Sequence, residues 1–128
     1  MNNYVHLVES INSLKELDNA LTGILNGIQD VRMSKHFIDR IFDRTISPEE
    51  ILDTIEKFAK KYKSKLENSK QREVVGLIKN LFNDLNIPIQ WDNNGTPSPK
   101  DDILTLITVM KKKGFRPNNP NDKIFNVQ

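Results

Sequence analysis

The apolar positions near the start of the chain recur at helical spacing. Ser13 and Glu16 have the spacing of a capping box, which places the start of a first helix near Ser13. The same periodicity continues upstream, so the helix could begin as early as Val5, and Gly27 is a suitable residue to end it. The apolar side of this helix is predicted to comprise Leu14, Leu17, Leu21, Ile24 and Leu25.

Two further helices are predicted in the next part of the chain. One spans residues 35–44, with Ser34 as its N-cap. Its apolar side is made by Phe37, Ile38, Ile41 and Phe42. The other has the clearest start in the sequence, because Ser47 is a suitable N-cap, Pro48 occupies the first helical position and Glu50 the third. Its buried side is predicted to include Ile51, Ile55, Phe58, Ala59 and Tyr62.

A fourth helix is predicted from about Gln71 to Leu85, because apolar residues in this segment approximate helical spacing. Its inward residues would be Val74, Val75, Ile78, Leu81, Phe82 and Leu85.

Strand-like segments dominate after residue 85. Ile87–Trp91 and Lys123–Val127 have strand character, and Ile103–Met110 is apolar on both faces, which predicts a central strand. Gln29–Met33 is a short extended piece between the first two helices. These elements predict an α+β fold in which N-terminal helices pack on a small C-terminal antiparallel β-sheet. We expect a single domain over residues 1–128, helical at about 5–85 and β at about 87–127.

Composition narrows the classes of function. The chain has 128 residues, of which 37% are hydrophobic and 28% charged, a balance typical of a water-soluble domain. The absence of cysteine excludes disulfides, thiolate zinc sites and cysteine nucleophiles, and two histidines, His6 and His36, are too few for a histidine-rich metal site. We therefore expect no metal or other cofactor. No segment resembles a membrane span or an export signal, which favours a cytoplasmic location.

Basic residues are concentrated in two segments, although the net charge is only +2. Between residues 57 and 72 a single acid, Glu67, accompanies a run of basic residues, and a second cluster is Lys111–Lys113. Such segments can follow a phosphate backbone. The alternative interpretations are a solvated helix face for the first and protection of a sheet edge for the second. The candidate residues for nucleic-acid binding are Lys57, Lys60, Lys61, Lys63, Lys111, Lys112 and Lys113.

Three residues of the second predicted helix could carry chemistry. His36, Arg40 and Arg44 are spaced four residues apart and share one stripe of the helix. Histidine can transfer a proton near neutral pH, and arginines can hold a phosphate and stabilise its developing negative charge. Metal-free RNA cleavage, in which the 2′-hydroxyl attacks the adjacent phosphate, requires groups of this kind. Alternatively, the arginines pair with Asp39 and Asp43 on a solvated face, and His36 is structural.

Residues 31–46, VRMSKHFIDRIFDRTI, resemble a segment of the phage endoribonuclease RegB. In that family a short strand leads into a helix with a histidine, an arginine four residues later and a further arginine. The pattern is also similar to that of bacterial toxins with a RelE-like or barnase-like ribonuclease architecture. The resemblance implies a cytoplasmic ribonuclease without metal, in which His36 is catalytic and Arg40 binds phosphate or stabilises the transition state.

This chain departs from the RegB pattern at one catalytic position. The pattern has a second catalytic histidine on or just after the following helix, where this chain has Glu56 and Lys57. The family also uses an acid from the first helix, a place that Glu16 or Glu9 would occupy. The catalytic candidates are therefore His36, Arg40, Arg44 and Glu16.

A second resemblance involves residues 104–115, which end in TVMKKKGF. This segment is similar to the C-terminal part of small uncharacterised tailed-phage proteins that also carry a His-Phe-x-x-Arg segment.

The leading hypothesis is a small phage or bacterial endoribonuclease-like protein that acts on RNA. One alternative is a non-enzymatic phage protein, either a virion component or a regulator that binds nucleic acid or a host protein. Another is a protein whose first helix mediates association with itself or with a partner.

Overall fold

The computed structural model describes residues 3–43, 46–95, 98–117 and 119–128, with side chains from residue 14 onward. Within these ranges the helices are α1 (Asn3–Ile24), α2 (Lys35–Phe42) and α3 (Pro48–Glu67), with one turn of 3₁₀ helix at Pro99–Asp101. The strands are β1 (Asp30–Met33), β2 (Glu73–Asn80), β3 (Leu85–Asp92), β4 (Ile103–Leu106), β5 (Met110–Lys111) and β6 (Lys123–Val127). The predicted α+β class is confirmed.

The strands form one mixed sheet in the order β1-β4-β3-β2-β6, with β5 also paired to β3. The three middle strands are antiparallel to one another, but β1 is parallel to β4 and β6 is parallel to β2. The prediction of a purely antiparallel sheet is therefore wrong at both edges. The reason is that each edge strand is separated in sequence from its partner by long crossover segments, which permit parallel pairing. Ile103–Leu106 does lie inside the sheet, as its apolar pattern predicted.

The segment predicted as a fourth helix is β2, a turn and the start of β3. Val74 and Ile78 are buried on the helix-covered face, whereas Val75 points to the other face and is 43% exposed. The helical part of the chain therefore ends at Glu67 rather than near residue 85. Two adjacent β-branched valines favour extended backbone, and β2 is paired with β3 over its whole length.

The core lies between one face of the sheet and helices α1 and α3. Its largest fully buried side chains include Trp91 on β3, Phe37 on α2 and Phe58 on α3. Phe58 also packs edge-on against Phe125 of β6, with ring centroids 5.4 Å apart. The last strand is thereby attached to α3 as well as to β2.

Polar residues at the helix starts determine where the helices begin. The Ser47 hydroxyl accepts a hydrogen bond from the Glu50 amide at 3.2 Å, and the Glu50 carboxylate accepts one from the Ser47 amide at 3.4 Å. This is the predicted capping box of α3. Ser34 accepts from the Phe37 amide at the start of α2, and its hydroxyl donates to the carbonyl of Ile107. The start of α2 is thus attached to the end of β4.

Candidate nucleic-acid interface

The turn between β2 and β3, residues 81–84, presents an aromatic ring to solvent. Phe82 is 82% exposed, and Leu81 beside it is 52% exposed. The Phe82 amide donates a hydrogen bond to Oδ1 of Asn80 at 3.0 Å, and the Leu81 amide donates to the carbonyl of Val127 at 2.8 Å. These bonds hold the backbone that carries the ring, so Phe82 is presented by an ordered turn.

Asn80 connects this turn to helix α3. Asn80 is buried, and its Nδ2 donates to the hydroxyl oxygen of Thr54, also buried, at 2.9 Å. The Thr54 hydroxyl in turn donates to the carbonyl of Glu50 at 2.8 Å. A buried polar pair must be satisfied to avoid a desolvation cost, so this chain of bonds determines how the turn sits against α3.

Lysines of α3 lie on one side of Phe82. The ammonium nitrogen of Lys57 is 5.7 Å from the centroid of the Phe82 ring, within the range of a cation–π contact. Lys57, Lys60 and Lys61 line a groove of about 340 Å³ together with Leu81. The groove therefore begins at the base of the aromatic turn.

The backbone of the second lysine cluster is bonded to the last residue of the same turn. Residues of β5 pair with the start of β3, and the Lys112 amide donates to the carbonyl of Asp84 at 3.0 Å. Nδ2 of Asn86 donates to the carbonyls of Asp84 and Lys112, both at 2.9 Å. The turn thus contacts two basic segments that are far apart in sequence. We call this region the turn surface, and it comprises Phe82, Lys57, Lys60, Lys61, Lys112 and Lys113.

The lysines of the turn surface differ in how their charges are balanced. Lys57 pairs with Asp53 at 3.0 Å and Lys60 with Glu56 at 3.2 Å, each one helical turn away. Such exposed pairs contribute about 0–1 kcal/mol, so a phosphate can compete for these lysines. Lys61, Lys112 and Lys113 form no ion pair with another described residue.

Two of the lysines predicted to bind nucleic acid are not part of the turn surface. Lys63 pairs with Glu67 at 3.0 Å and is half-buried. Lys111 donates a hydrogen bond to Glu50 at 2.5 Å, and this ammonium lowers the pKa of the Glu50 carboxyl group. Lys111 therefore attaches β5 to the first turn of α3.

The proposed catalytic residues lie on other elements. His36 and Arg40 are exposed on α2, one helical turn apart, and neither forms a hydrogen bond or ion pair within the described part of the chain. Glu16 is exposed on α1 and lines a shallow groove with Pro48 and Glu49 at the start of α3. Arg44 lies outside the described residues.

Sequence reasoning missed Phe82, which it placed in the core. The signal that could have identified it is the arrangement of Asn80, Asn83 and Asp84 around Leu81-Phe82, since Asn and Asp are typical turn residues. Predicting a turn at this place would have implied that Phe82 is exposed.

The described residues contain neither a candidate metal site nor a membrane-spanning helix. Among them, no group of three histidine or carboxylate side chains is placed to hold a metal ion. The helices of the same part of the chain include none with the length and hydrophobicity needed to cross a membrane.

Comparison of the chain with protein-family models, with curated proteins and with solved structures gave no match. The resemblance of residues 31–46 to RegB-type ribonucleases thus stays a prediction.

Proposed function

We propose that this protein binds single-stranded RNA on the turn surface. The observation that carries the proposal is Phe82, an exposed aromatic ring on an ordered turn, with Lys57 against the ring and the backbone of Lys112 bonded to the end of the same turn. Single-stranded nucleic acids are bound by aromatic side chains that stack on unpaired bases and by cations that follow the phosphates. We propose RNA and not DNA because the cleavage reaction predicted for His36 requires a 2′-hydroxyl group.

Binding of a labelled uridine-rich RNA, followed by fluorescence anisotropy, tests this proposal. Stacking contributes about 1–3 kcal/mol per base, so Phe82→Ala is expected to weaken binding by about 5- to 150-fold. Ile124→Ala is the matched control, because Ile124 is also an exposed apolar residue but lies on β6, outside the turn surface. Equal affinities of the two variants would contradict the proposal.

The lysines provide a second test through the salt dependence of the same binding. The logarithm of the affinity for a single strand falls with the logarithm of salt concentration by about 0.7 per phosphate contact. The double variant Lys112→Gln/Lys113→Gln is expected to reduce this slope, whereas Lys100→Gln, which removes an exposed lysine of the 3₁₀ helix, is not. Binding to anionic vesicles through Phe82, without binding to RNA, would assign the turn surface to membranes and refute the proposal.

We also propose RNA cleavage by α2 as a second function, supported by the exposure of His36 and Arg40, whose side chains have no polar partner among the described residues. Cleavage of a structured RNA in EDTA by the wild type, and its loss in His36→Ala and in Arg40→Ala, is the expected result. Lys35→Ala, which removes an exposed cation from the same helix, serves as the control. No cleavage by the folded wild type would remove this second function and favour the non-enzymatic alternative, while leaving RNA binding to be judged by its own assay.

A further inference from the structure

The groove beside Phe82 has the size of a small ligand site. It opens between α3, the end of β6 and the turn, with a volume of about 340 Å³. Ligand sites for small molecules begin at about 300 Å³, so this groove can hold part of a nucleotide, such as a phosphate and its sugar. Leu81 and Val127 contribute apolar surface to it, and lysines contribute the charge.

Lys61 is the lysine of the groove whose charge is not balanced by a carboxylate among the described residues. Its ammonium donates a hydrogen bond to the carbonyl of Asn126 at 3.1 Å, and the hydroxyl of Tyr62 donates to the same carbonyl at 3.2 Å. A carbonyl is a dipole without net charge, and an ammonium group has three donors. Lys61 is therefore held in place while two of its donors remain for an anion.

Lys57 links the groove to the aromatic ring. It lines the groove, and its ammonium lies 5.7 Å from the Phe82 ring centroid. Lys61 lies one helical turn beyond Lys57 on α3, about 6 Å along the helix axis, so Lys57 connects the stacking surface to the phosphate-binding position. A nucleotide, whose base and phosphate are joined by one sugar, carries both of the groups that this arrangement would bind.

We infer that the turn surface contains a nucleoside monophosphate subsite, with the base stacked on Phe82 and the phosphate bound by Lys61 in the groove. The inference rests on the proposed RNA binding and specifies that the protein recognises one nucleotide of the bound strand. One nucleotide of the bound strand is held at both ends, and its neighbours are held by backbone charge alone. The subsite needs no particular base, since every base offers a π-face.

Titration of the protein with uridine 5′-monophosphate, uridine and inorganic phosphate, followed by NMR chemical shifts, tests the subsite. The monophosphate is expected to bind about tenfold more tightly than uridine, because it adds a charge-assisted contact. Lys61→Met should remove this advantage without changing uridine binding, and Lys61→Arg should retain it. Phe82→Ala should weaken binding of both uridine compounds.

Lys65→Met is the matched control, because Lys65 lies one turn further along α3 and does not line the groove. Equal affinities for uridine and its monophosphate, or equal effects of Lys61→Met and Lys65→Met, would overturn the subsite. If RNA binding depends on Phe82 but not on Lys61, the subsite fails and the proposed function stands. If RNA binding depends on neither, the proposed function fails as well.

Discussion

Asp102 brings a carboxyl group into the core, where it is 1% exposed. Its Oδ2 accepts a hydrogen bond from Nε1 of Trp91 at 2.8 Å, while Oδ1 has no hydrogen-bond partner among the described residues. Burial raises the pKa of Asp102, and the bond from Trp91 opposes this effect in part. The folded protein therefore holds a proton on this group more tightly than the unfolded chain does.

The raised pKa of Asp102 predicts a dependence of stability on pH. The stabilisation from proton binding is fully present below the unfolded pKa, about 3.9, and is lost as pH rises through the higher folded pKa. Asp102→Asn keeps an acceptor for Trp91 but cannot ionise. We expect the free energy of unfolding of the wild type to fall relative to Asp102→Asn as pH rises from about 4 towards neutrality.

Urea unfolding at a series of pH values measures this difference. Asp39→Asn, which removes an exposed carboxylate from α2, is the control and should not reproduce the trend. A difference between wild type and Asp102→Asn that stays constant with pH would show that the buried group does not titrate in this range.

Gly76 is required by close packing on the helix-covered face of β2. A Cβ atom at this position would lie 2.5 Å from Cε2 of Phe125 and 2.8 Å from the carbonyl oxygen of Lys123. Gly76→Ala is therefore expected to lower the free energy of unfolding by about 1–3 kcal/mol. Gly23 in α1 has no atom within 4 Å of such a Cβ, so Gly23→Ala should be neutral or stabilising by up to about 1 kcal/mol. Thermal unfolding of the two variants would contradict this account if both shifted in the same direction.

Among the elements, helix α3 depends on the cap at its start. Ser47→Ala removes the acceptor for the Glu50 amide and is expected to lower the free energy of unfolding by about 1 kcal/mol. Ser64→Ala is the matched control, because Ser64 is exposed later in the same helix and alanine is favourable there. Urea unfolding compares the two, and equal stabilities would mean that packing alone determines where α3 begins.

The elements differ in how well the sequence predicts them, for identifiable reasons. The start of α3 is encoded locally by Ser47, Pro48 and Glu50, and the interior position of β4 by an apolar pattern on both faces. β2 was mistaken for a helix because Val74 and Ile78, four residues apart, share one face in a helix and in a strand alike. The pairing of β2 with β3 decides that this segment is a strand and not a helix. The spacing of apolar residues within the segment carries no information about that pairing.

The candidate interface is formed by tertiary contacts. Both lysine clusters can be recognised in the sequence as runs of basic residues, and the turn surface contains lysines from each. These lysines are brought to the turn that carries Phe82 by the pairing of β5 with β3 and by the packing of α3 beside the turn. Residues 57 and 112 are brought to the same turn only through these long-range contacts. For the same reason, no local spacing could have shown that Lys111 pairs with Glu50 of α3 and is not part of the turn surface.

The parallel pairing of β2 with β6 has a consequence for biosynthesis. Phe125 and Val127 of β6 are buried against β2 and α3, which precede them by many residues in the chain. A ribosome therefore delivers α3 and β2 well before the strand that covers their shared apolar surface. That surface stays accessible to chaperones and to aggregation until Val127 has emerged, so this part of the core closes last during synthesis.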